Sequence, residues 1–101
     1  MSARKPWAVV TYDNHAEPGE DRPLHVGDYE TLDEAVAAAK AAVDQALRDA
    51  GNAVTAEERV SMFKLYGEEP VVRGPAPSGF DARAYAEMRA RELFPSSGDK
   101  R

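Results

Sequence analysis

The sequence predicts an α+β domain in the order β-β-α-α-β-α, a small and mostly antiparallel sheet with helices on one face. Three observations carry that prediction. Runs rich in β-branched and aromatic residues occur at Pro6–Tyr12, Leu24–Tyr29 and Pro70–Arg73. The spacing Thr-x-x-Glu occurs twice, at Thr31/Glu34 and Thr55/Glu58, each time ahead of an apolar-periodic stretch. Glycine and proline cluster between elements, at Pro18-Gly19 and over residues 74–79.

Trp7-Ala8-Val9-Val10-Thr11-Tyr12 is apolar on both alternating faces, which predicts a strand inside the sheet. Residues 13–23 are polar and contain Pro18-Gly19, a turn signal, so Leu24–Tyr29 is expected to return antiparallel as a second, weaker strand. Thr31 caps the next helix, and Asp33 and Glu34 suit the positive end of its dipole. Leu32, Val36, Ala39, Val43, Ala46, Leu47 and Ala50 form one apolar stripe, with Ala35 and Ala42 beside it, and Lys40, Asp44 and Arg48 fall on the opposite side. Gly51-Asn52 is expected to end the helix.

Arg59–Tyr66 fits either a helix, with Val60, Phe63 and Tyr66 on one side, or a strand, with Val60, Met62 and Tyr66 on one side. The cap in front and Gly67 behind favour helix. Pro70–Arg73 is a short strand, its proline placed where no ladder donor is needed. Residues 74–79 form a loop, and Ser78-x-x-Asp81 opens a last helix running to about Leu93. Its inward side is expected to be Ala84, Tyr85 and Met88, with Arg83/Glu87 and Glu87/Arg91 pairing along it. Residues 1–95 thus read as a single domain and 96–101 as a flexible C-terminal tail.

Four blocks recur in a fixed order: Tyr29-x-Thr31-x-x-Glu34-Ala35, Thr55-x-Glu57-Glu58, Tyr66-Gly67-Glu68-Glu69-Pro70 and Phe80-x-Ala82-x-x-Tyr85-Ala86. In this respect the chain resembles a family of short, uncharacterised bacterial proteins with the pattern aromatic-x-T-L-x-E-A, G-E-D-P and F-S-A-W-D-Y-A. It departs from that pattern at Glu69, Asp81 and Arg83-Ala84. The resemblance implies a bacterial α+β domain and carries no assigned activity.

Composition restricts function more than it specifies it. There are 101 residues and no cysteine, which excludes disulfides, thiol catalysis and cysteine-ligated zinc. Of the large aliphatic and aromatic types, Leu, Val and Phe total 17 and isoleucine is absent, against 18 alanines, so the core is thin. A formal charge of −5 opposes non-specific nucleic-acid binding. No apolar run approaches the ~20 residues of a membrane span, so a cytoplasmic setting with no membrane partner is expected.

Imidazole and carboxylates at Asp13, His15, Glu17 and His25 are candidate ligands for a divalent metal, against the plainer reading of a solvated acidic loop. Glu68 and Glu69 are adjacent carboxylates in an expected turn, where hydration keeps their acidities alike. No nucleophile–base pair, phosphate loop or dinucleotide fingerprint is present. The aromatic residues are expected to form the core rather than a ligand pocket.

The expectation is therefore a non-enzymatic protein-interaction or regulatory module with no cofactor. The alternative is a small-ligand or divalent-metal binder using the first hairpin. Helices on one face leave the other face of the sheet open. Trp7, Val9 and Val26 are the candidates for that interaction surface, to be covered by a homodimer partner, another protein, the 13–23 loop or the tail.

Overall fold

The computed structural model describes residues 5–13, 23–50 and 53–95. The elements run β1 (Trp7–Asp13), β2 (Leu24–Tyr29), α1 (Leu32–Arg48), α2 (Ala56–Tyr66), β3 (Glu68–Arg73) and α3 (Ala82–Leu93). The expected α+β class and element order are therefore present.

The sheet has the order β2-β1-β3 with both pairings antiparallel. The doubly apolar β1 is the central strand, as its pattern requires. The β1–β3 register is regular, running from Ala8 opposite Arg73 to Asp13 opposite Glu68. The β1–β2 register slips once. Val9 lies opposite Gly27 but Val10 lies opposite His25, so Val26 is an extra, unpaired residue and β2 carries a bulge.

Both capping boxes form. Thr31 Oγ1 accepts from the Glu34 amide at 3.1 Å, and Glu34 Oε1 accepts from the Thr31 amide at 3.3 Å. Thr55 and Glu58 repeat the arrangement at 3.1 and 3.1 Å. The strand alternative for residues 59–66 is thereby resolved in favour of helix, and the Gly67 amide donates to the Phe63 carbonyl to end it.

The α1 stripe lies one step round from expectation. Ala35, Ala39, Val43 and Leu47 are wholly buried, whereas Leu32, Val36 and Ala46 are only half-buried. α1 ends at Arg48, and the expected stop at Gly51-Asn52 lies outside the described residues. α3 is capped by Asp81, whose carboxylate accepts from the amides of Arg83 and Ala84; the Ser78 hydroxyl accepts from Phe80 instead. Its buried side is Ala82, Ala86 and Ala90; of the expected inward residues Tyr85 is half-buried against the same cluster, whereas Ala84 is exposed and Met88 is 48% exposed. The reason is steric: Val43 and Leu47 of α1 and Val60 and Phe63 of α2 fill the space between the helices, so α3 presents methyl groups and comes close.

A second cluster joins α1 to the sheet, with Val9 and Val72 beneath Ala35 and Ala39. The helix-covered face of the sheet is thus the one carrying Trp7, Val9 and Val72. Trp7 lies over Gly74, where an added Cβ would fall well inside contact with the indole ring.

Candidate functional site

Strand alternation and the measured register define the side of the sheet opposite the helices. One row across it runs Asp28–Ala8–Arg73, and the next runs His25–Val10–Val71. Tyr12 and Glu69 make a third, shorter row. Val10 belongs to neither of the two helix-packed clusters.

The bulge shapes this face. His25 and Asp28 are three apart and would point to opposite sides of a regular strand. With Val26 inserted between them they share one side, and His25 Nε2 donates to Asp28 Oδ1 at 2.9 Å. At the other edge, the Arg73 guanidinium lies 5.5 Å from the centroid of the Tyr12 ring. Val10 and Val71 are therefore bounded by an Asp–His pair on β2 and by Arg73 of β3 reaching back over Tyr12 of β1.

The expected interaction residues divide. Val26 is 49% exposed, at the bulge of the edge strand β2. Val9 is 0% exposed beneath α1, and Trp7 is half-buried against the same cluster, so both belong to the covered face. A strand apolar on both sides does not declare which side the helices take.

Of the proposed metal ligands, His15 and Glu17 lie outside the described residues. Asp13 ends β1 opposite Glu68, while His25 is engaged by Asp28. Among the described residues no three His, Asp or Glu side chains converge as a metal site. Glu68 and Glu69 are not in a turn: both lie in β3, and Glu69 Oε1 accepts from Arg83 Nε at 2.8 Å. Successive strand residues point to opposite faces, which separates the two carboxylates.

A cleft of about 580 Å3 opens between α1 and α2, walled by Ala46, Ala50, Met62 and Phe63 with Asp49 and Glu68 at its rim. Beside it α2 exposes Leu65 and Tyr66, so this helix is apolar outward as well as inward.

Three sets of polar contacts tie the helices together, and none is legible in the sequence. Asp44, expected on the solvent side of α1, accepts from the Tyr85 hydroxyl at 2.9 Å and from Arg89 Nε at 3.2 Å. Burial and the Asp44 carboxylate push the Tyr85 phenol up to about 12. It is held as a donor at neutral pH and is unsuited to act as a base. Arg89 also bonds Glu92, and both acidic partners raise its affinity for the proton. Glu87 pairs with Lys64 of α2 at 2.6 Å rather than along its own helix, which holds its carboxyl below the usual range. Arg59 Nη1 donates to the carbonyls of Leu47 and Arg48, and its guanidinium stacks 3.9 Å from the Phe94 ring centroid.

No helix among the described residues is long and apolar enough to cross a membrane. No family model, curated protein or solved structure matches this chain.

Proposed function

We propose that this chain is a non-enzymatic protein-interaction module whose contact surface is the open side of the sheet, acting in a bacterial cytoplasm without a cofactor. The observation that carries the reading is the pattern of that side: half-buried Val71 and the exposed bulge residue Val26 on either flank of Val10, which is 8% exposed, with Asp28 and Arg73 at opposite edges. A polar rim around an apolar centre is the general composition of protein contact surfaces. The aromatic residues support the same reading, because Trp7, Phe63 and Phe80 are committed to packing rather than to a pocket. So do Asp44, Lys64, Glu87 and Arg89, whose ion pairs connect helix to helix.

A photoreactive amino acid placed at position 26, compared with one at the exposed position 41 of α1, tests the proposal. We expect a discrete protein adduct from position 26 that is lost on Val71→Glu, a change on the open side of the sheet. Equal labelling from both positions, or none from position 26, would overturn it.

The cleft between α1 and α2 favours a second reading, binding of a small apolar ligand, since its size falls within the range of such sites. An apolar fluorophore displaced by Ala46→Phe, with the fold retained, supports that reading. Binding unaffected by the substitution counts against it.

A further inference from the structure

We infer that the occupant of the open sheet side is a second copy of this chain, docked about a two-fold axis parallel to β1. The inference rests on the reading of that side as a contact surface and adds the identity of the partner. Its basis is the row Asp28–Ala8–Arg73, in which opposite charges stand at opposite edges of the sheet and at the same level along the strands.

A two-fold axis running along β1, between two facing sheets, exchanges the edges and preserves the level. It sets Asp28 of each copy against Arg73 of the other, a pair of symmetric contacts from a single row. The next row then sets His25 of each copy against Val71 of the other, with the two Val10 residues, each 8% exposed in the single chain, between them. Sheets pack about 10 Å apart, a gap that a long arginine and a short aspartate bridge together, and Ala8 between them presents only a methyl group. A two-fold axis across the strands does the opposite. It stacks each edge on its own counterpart, Asp28 side on Asp28 side, and forfeits the charge match. The charge order therefore selects one orientation.

Three strands of six or seven residues offer a footprint of roughly 300 Å2, well below the ~800 Å2 per partner of a standard interface. The association is accordingly weak and reversible, strengthening as salt is lowered.

Sedimentation equilibrium from micromolar to millimolar protein, with Asp28→Arg and Arg73→Asp, tests the inference. The wild type should self-associate, and each single variant should lose roughly tenfold or more in affinity, because like charges then face each other twice. An equimolar mixture of the two variants should regain association. In the mixed pair the introduced arginine of one copy faces the introduced aspartate of the other, and the native pair forms at the second contact. The double variant should regain association as well. Concentration-dependent amide shifts confined to residues 8–12, 25–28 and 71–73 of the wild type provide a readout that needs no variant. A wild type that is monomeric throughout, or a mixture no stronger than either single variant, would overturn the inference. A monomeric wild type that still gives a foreign adduct from position 26 overturns only the second copy. A monomer with no adduct overturns the contact surface too.

Discussion

Arg59 of α2 closes the C-terminal end of α1 by donating to the Leu47 carbonyl at 2.7 Å. A cation there answers the negative end of the helix dipole, and the same guanidinium lies against Phe94, which caps α3. One side chain thus fixes all three helices, although its Nε is buried without a hydrogen-bond partner.

Arg59→Ala should therefore destabilise the fold by about 2–3 kcal/mol, from a lost charged hydrogen bond and a lost ring contact. Arg59→Met should lose less, because it keeps apolar contact with Phe94 and removes the unpaired nitrogen. Chemical denaturation measures both. Equal losses in the two variants would show that the cap, and not the stacking, carries the effect.

Tyr85 gives the fold an alkaline limit. Its phenol is raised from 10.0 to about 12, so the folded chain holds the proton after the unfolded chain has released it. The resulting contribution to stability is complete below pH 10 and is lost as the pH rises through about 12. Stability measured across that window should fall more steeply for the wild type than for Tyr85→Phe. Parallel curves would mean that Tyr85 is not held by Asp44 in solution.

The α2 capping box makes an acid counterpart. The Val54 and Thr55 amides hold the Glu58 carboxyl below its ordinary value of 4.5. Its contribution is complete above that value and is lost as the pH falls through the depressed one. Glu58→Gln should flatten the acid limb of the stability curve. Thr55→Ala should cost about 1 kcal/mol near neutrality while leaving the carboxylate bonds in place. Melting curves collected over a pH series separate the two effects.

Gly74→Ala should destabilise by about 1–3 kcal/mol, because the new methyl group meets the Trp7 ring at the end of a paired strand. The emission of Trp7 should move to longer wavelength as the indole is pushed towards water. Unchanged emission and stability would place the ring elsewhere.

The blocks legible in the sequence were those whose meaning is local. Both capping boxes, the two-sided apolar pattern of β1 and the glycine stop at Gly67 act within a few residues, and each identified its element. What was not legible depends on which elements meet. Asp44 reads as a solvent-facing member of an i, i+4 series until α3 brings Tyr85 and Arg89 against it. Val9 and Val10 are identical side chains on successive residues, and only the position of α1 decides which of them packs into the cluster beneath it. The bulge at Val26 has one signal in Leu24–Tyr29, the isolated Gly27, which hints at a bulge without fixing the pairing, so the row joining Asp28 to Arg73 emerges only from the register.

The alanines that line the helix contacts have a consequence for how this chain tolerates change. Alanine has no rotamer to freeze, so burying Ala35, Ala39, Ala82, Ala86 and Ala90 orders backbone without a side-chain entropy cost. For the same reason these positions have nothing that can swing aside. A larger residue at Ala86 cannot be absorbed by repacking its own neighbours and must displace α3 as a rigid rod. Drift in this sequence should therefore collect at the half-exposed large residues, while the smallest side chains remain the most constrained.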